Sequence, residues 1–210
     1  MNGADFSLFL LAAFIIAAIP GPGIFYVTAR TLSGGRKAGI ASTFGLALGG
    51  LVHVIAGGLG VSAIILASAQ LFTGLKLAGA LYLIWLGIRT IRDAGNPPLE
   101  QAGPTGSKRA FREGVVVEAL NPKTAAFFLA FIPQFLEPAA GHSALQFMAL
   151  GLISVALNTF ADVIVVMVAA RVRTGLARKP IFIQRLRQGS GLFIAGLGIS
   201  LVLARRPATG

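Results

Sequence analysis

Cysteine is absent from this 210-residue chain, which excludes disulfide bridges and thiolate metal sites and leaves the redox compartment unread. Histidine occurs only twice. His53 has no second ligand near it in the sequence, so it reads as a hydrogen-bonded packing residue, and no metal or other cofactor is expected. Neither HExxH nor GxSxG occurs, and no nucleophile, base and orienting group come together, so an enzyme is not expected either. The largest shortage is of charge: 12% of residues are charged, where a soluble domain carries about a quarter. With 55% hydrophobic residues and a mean hydropathy of +0.81, the chain reads as an integral membrane protein whose surroundings are a lipid bilayer.

Six stretches reach or approach the roughly 20 residues of helix that cross a hydrocarbon core. They are 6–29, 40–67, 71–91, 114–136, 143–170 and 188–204; Lys76 interrupts the third, and the sixth is at the short limit. The first lacks a basic leader and a small-residue cleavage site and is too long for a signal sequence, so it is expected to stay in the membrane.

Acidic residues number 7 against 18 lysines and arginines, a formal charge of +11. Placement decides what the excess means: 14 of the 18 fall between spans 1 and 2, 3 and 4, or 5 and 6. By the positive-inside rule those loops are cytoplasmic and both termini lie outside. The basic loops are topogenic, and with no stacking aromatics among them nucleic acid is not an expected partner. Tyr26 and Trp85, each four residues ahead of Arg30 and Arg89, read as interfacial anchors.

One breaker-rich stretch, AGNPPLEQAGPTGS at 94–107, divides the spans three and three. The expectation is an all-α polytopic membrane protein of one domain, 1–210, with three-helix halves 1–93 and 111–210 joined by a cytoplasmic loop 94–110. Three spans per half place the halves in opposite orientation, a 3+3 inverted-topology repeat in which helices 1 and 4 correspond. Those two carry the proline motifs, IPGPG at 19–23 and NPK at 121–123.

Proline lacks an amide proton and clashes with the carbonyl four residues back. Pro20 and Pro22 would free the carbonyls of Ile16 and Ala18, and Pro122 that of Glu118. Gly21 before Pro22, and Asn121 before Pro122, read as helix starts, so each span is expected to be two half-helices. Pro22 and Pro122 lie about 12–15 Å from their cytoplasmic boundaries, near mid-bilayer. Two half-helix amino ends meeting there would make an anion site, with Gly23 beside one end and Lys123 beside the other.

An ionised side chain at the centre of a spanning helix costs roughly 2.5–3.5 kcal/mol, so Glu118, Lys123 and Asp162 must face partners or water. Asp162 is level with Lys123, and an ion pair between them is expected. Glu118 is poorly placed to pair with Lys123 and is expected on the cytoplasmic approach. Protonation of an acid such as Asp162 can couple proton movement to transport. Gly45 and Gly49, at GxxxG spacing, and the glycines of span 6 suit close helix packing or a homodimer contact.

IPGPG, LKLAGALYLIWLGIR at 75–89, and NPK followed by FIPQF resemble, in order and across the whole chain, the LysE/RhtB amino-acid exporters, nearest the homoserine and threonine efflux branch. The resemblance implies export of amino acids or small derivatives (homoserine, homoserine lactone or threonine type) across the bacterial cytoplasmic (inner) membrane by proton antiport. It also implies an acidic residue where Asp162 stands and an uncharged polar one where Glu118 stands. In this picture the regions of Pro20, Gly21, Pro22, Gly23, Asn121, Pro122 and Lys123 hold a substrate carboxylate, while Asp162 and Glu118 hold its ammonium. The competing readings are a cation or metal exporter of hard ions and a structural membrane protein.

Overall fold

The computed structural model describes residues 3–67, 69–95, 106–171 and 180–203. Among them every regular element is helical: α1 Gly3–Ala18, α2 Pro22–Ala67, α3 Ala69–Arg92, α4 Ser107–Ala119, α5 Pro122–Ala126, α6 Ser143–Arg171 and α7 Pro180–Leu203. Past α5 the chain widens into a π-helix at Phe127–Phe131 and tightens to 3₁₀ at Ile132–Phe135. Pro133 cannot donate to the carbonyl four residues back, and the wider register upstream absorbs the mismatch. Pro22–Gly60, Ser107–Phe135 and Ser143–Arg171 are long and apolar enough to cross a membrane, and Gly3–Ala18 is a shorter apolar helix. Most of the expected central loop, the cations Arg173, Arg178 and Lys179, and Arg205 and Arg206 lie outside the described residues.

The expected loop between the first two spans is itself helical. Only Gly35 departs, with φ 74° and ψ −175°, in the left-handed half of conformational space where glycine alone is unstrained. The two limbs of α2 on either side of it run antiparallel. Gly23 and Gly49 both approach Glu118 on α4, while Tyr26 hydrogen-bonds the Ala110 carbonyl and Gly45 lies on Phe111. A Cβ on Gly39 would stand 2.2 Å from the Thr31 hydroxyl, so the limbs touch near the turn.

Two further departures are of length. Helix α4 starts at Ser107, inside the stretch read as loop, and α7 starts at Pro180, eight residues before the apolar run of span 6. A helix continues beyond the apolar stretch wherever its backbone remains satisfied, and hydropathy marks only the lipid-facing part.

Helix α2 packs against α4 and α6, α3 against α7, and α1 against α6. The α2–α4 contact is made backbone to backbone. A Cβ at Gly45 would sit 2.1 Å from the Phe111 carbonyl oxygen, and one at Gly114 2.7 Å from that of Ser42. Gly45 and Gly49 are therefore occupied within the chain, which removes them from any surface offered to a homodimer. Phe9, Phe127, Phe128, Ile132, Phe147 and Leu150 form the main buried cluster beside this pair.

Candidate functional site

The chain between α1 and α2 carries Pro20, and the carbonyls at the end of α1 need donors from elsewhere. Lys123 supplies them: its ammonium donates to the carbonyls of Ile16, at 3.1 Å, and Ile19, at 3.0 Å. A cation is favoured at a helix C-terminus, where the last carbonyls carry partial negative charge. Gly21 makes room for the lysine, since a Cβ there would lie 3.1 Å from Lys123 Cδ.

The second proline is answered reciprocally. The Glu118 carbonyl, which Pro122 cannot use, receives the Asn121 amide at 3.0 Å and lies 2.9 Å from His53 Nε2. A lysine from the second half of the chain thus closes the break in the first, and a histidine from the first half closes the break in the second. His53→Phe should keep a ring against Phe128, whose centroid is 5.7 Å away, while deleting that hydrogen bond. The expected loss is roughly 1–2 kcal/mol, seen as a fall of about 2–6 °C in the unfolding midpoint of the purified protein in detergent. An unchanged midpoint would show that the contact carries no stability.

Asn121 caps α5, its Oδ1 accepting from the Lys123 amide at 3.1 Å. The anion at this helix start belongs to the protein itself. The Glu118 carboxylate accepts from Asn121 Nδ2 at 2.8 Å and from Thr124 Oγ1 at 2.7 Å. Gly23 faces it, a Cβ there lying 3.1 Å from Glu118 Oε2. Glu118 is therefore buried at the break instead of standing on an approach, because its own helix ends one residue later and the chain folds its head back over the carboxylate.

On α6, Ser154, Asn158 and Asp162 recur every four residues and share one face. Asp162 is 6% exposed, and among the described residues no hydrogen bond or ion pair engages it. The expected Lys123–Asp162 pair does not form, since the lysine is drawn to the α1 carbonyls.

Gly23, Glu118, Asn121, Lys123 and Asp162 meet around one cavity of about 30 Å³, with Thr124, Asn158 and Thr159 completing its polar wall. A water takes roughly 10–15 Å³ of such space, so the cavity has room for about two waters and must enlarge to admit an organic solute. Pro20, Gly21, Pro22 and Pro122 do not line it; Pro22 is exposed. A smaller apolar cavity, lined by Ile16, Ile19, Leu83, Phe127, Phe131 and Ile194, lies on another side of Lys123, which borders both.

Toward the Gly35 turn the two helices that border the cavity are tied together. Arg30 pairs with Glu113, whose other oxygen takes Arg109 Nε at 2.7 Å, and the single proton of the Tyr26 hydroxyl is shared between the Ala110 carbonyl at 2.9 Å and Glu113 at 3.1 Å. Tyr26 and Arg30 are buried, so the anchor and loop roles expected of them give way to a bridge between halves. Nothing in a helix read by itself announces a carboxylate on the facing helix. Asn158 and Ser154 could have been found, because a polar residue every fourth position is conspicuous in an apolar span.

Comparison with known proteins adds the following. The family model described as LysE type translocator matches residues 14–205. An uncharacterized membrane protein of Vibrio cholerae is 30% identical over 198 residues, 94% of this chain and 96% of that protein. A homoserine/homoserine lactone efflux protein of Salmonella typhimurium is 33% identical over 151 residues, 71% of this chain and 73% of its own length. A leucine efflux protein of Salmonella choleraesuis is 27% identical over 143 residues, 66% of each chain. No solved structure matches.

Proposed function

The chain belongs to the LysE type translocator family, and from that premise we propose that it exports amino acids or small amino-acid derivatives from the cytoplasm in exchange for protons. The observation that carries the reading is Asp162, a buried carboxylate that no described residue engages in a hydrogen bond or ion pair, facing a polar cavity enclosed by apolar helices. Such a group is stable only when it holds a cation or a proton, and alternation between the two is antiport. The names of the efflux relatives support solutes of the homoserine, homoserine lactone or leucine kind, and support transport over enzyme chemistry.

The reading includes a 3+3 inverted repeat with broken helices 1 and 4, set in the bacterial inner membrane with both termini outside. Support comes from the interruptions at 19–21 and 120–121 and from the reciprocal closures by Lys123 and His53. The fall of most basic residues between alternate spans supports the orientation. The test is counterflow in proteoliposomes, with a panel of labelled amino acids and derivatives and an imposed pH gradient. Gradient-stimulated flux that a protonophore collapses is expected, and absence of flux for every solute under every gradient would remove the reading.

A further inference from the structure

Asn158 stands one helical turn before Asp162 on α6, and both border the cavity. Chemistry fixes the orientation of its amide, because the atom 2.9 Å from the Ser154 carbonyl oxygen must be the donor, Nδ2. That leaves Oδ1 and a second N–H, and among the described residues neither has a hydrogen-bond partner.

The open groups around the space sort by type. The third N–H of the Lys123 ammonium and the second N–H of Asn121 and of Asn158 are donors, which suit the carboxylate of a solute. Acceptors stand on α6, where no described residue engages Asp162 and Asn158 lies about 5–6 Å away between Cβ atoms. Glu118 already holds a hydrogen bond on each oxygen, and the Thr124 and Thr159 hydroxyls are oriented by their own donations to Glu118 and to the Val155 carbonyl. A primary ammonium has three N–H groups splayed tetrahedrally. A carboxylate facing it engages two at most, and a third left buried without an acceptor bears the full desolvation cost of a charged donor.

Resting on the export reading above, we propose that Asn158 is a specificity-determining residue of this cavity. With the solute ammonium held on Asp162, Asn158 Oδ1 accepts the remaining N–H, so the cavity selects solutes with a primary ammonium over their N-methylated counterparts. N-methylation keeps the positive charge and removes one N–H; the Asp162 contact survives and Asn158 loses its donor. A site built around a hydrogen bond rejects the analogue lacking it far more strongly than an apolar pocket rejects an extra methylene.

The test measures counterflow by the purified full-length protein in proteoliposomes for leucine, threonine, homoserine and homoserine lactone, each beside its N-methyl form, with protein-free vesicles giving the passive leak. Every parent solute that moves should do so at least about tenfold faster than its N-methyl form. Asn158→Leu keeps the branched outline of the side chain and so the space around the ammonium. It should slow the parents about tenfold and the N-methyl forms little, bringing the ratio near one. Inside α6 the Ser154 carbonyl also accepts the Asn158 backbone amide, so the variant should unfold close to the wild-type midpoint. Asn158→Ala, read by the same ratio, gives a second route. Equal slowing of both forms marks a structural residue and overturns the assignment. A wild type that moves both forms equally, or a ratio that collapses in Thr159→Val and not in Asn158→Leu, overturns it too, and all three results leave export standing. If no parent solute moves beyond leak, the export reading falls, and the assignment with it.

Discussion

Asp162→Asn should abolish proton-coupled export while the protein stays folded. Asparagine keeps the shape of the side chain and removes its charge, so the substrate ammonium loses its counter-ion in a site that excludes most water. Losing one partner of a buried, hydrogen-bonded charge pair costs about 2–5 kcal/mol, a fall in affinity of roughly 30- to several-thousand-fold. Stability should move the other way or not at all. Asp162 gives up no hydrogen bond or ion pair to a described residue, and the variant no longer buries an unpaired charge. The measurement is paired: counterflow in proteoliposomes and the unfolding midpoint in detergent. Export that survives, or a midpoint that falls by many degrees, would make Asp162 a structural residue.

The second large effect is expected at the contact between α2 and α4. Gly45→Ala places a methyl 2.1 Å from the Phe111 carbonyl oxygen, and that atom belongs to a helix backbone that cannot rotate away. The two helices must separate, which opens the glycine seam along Gly45, Gly49 and Gly114 and pulls Glu118 from Gly23. Overpacking of this kind costs about 1–3 kcal/mol in a core that can adjust, and a backbone-to-backbone seam has less freedom to adjust. The expected result is a sharp loss of monodisperse protein after extraction. Gly60→Ala on the same helix is the matched comparison: nothing lies within 4 Å of its Cβ, and alanine favours helix by up to about 1 kcal/mol. Equal behaviour of the two variants would show that the seam is not a determinant of folding.

Both predictions turn on residues that stand out in the chain for different reasons. Asp162 is conspicuous as a charge in an apolar span, and its neighbours Glu118 and Lys123 share that property, so all three were legible as groups needing company. Their company was not. Lys123 was expected on Asp162 and is drawn instead to the end of α1, where the carbonyls of Ile16 and Ile19 carry the partial negative charge of a helix C-terminus. Glu118 was expected toward the cytoplasm and is held at the start of α5 by Asn121 and Thr124, three and six residues ahead in sequence. Arg30 was counted with the topogenic cations and is buried against Glu113, 83 residues away in the chain.

Composition alone determined that this chain lives in lipid as helices, since a sequence with 12% charge and long apolar runs can satisfy its backbone there in few other ways. Its proline motifs and lone charges determined which residues would need partners. Which partners they found was decided only by the tertiary structure, where α2 doubles back at Gly35 and brings both of its limbs against α4. The physical reason is range. Hydropathy and proline act within a few residues of themselves, whereas an ammonium or carboxylate is stabilised by whatever donor or acceptor the packed helices carry to within about 3 Å of it.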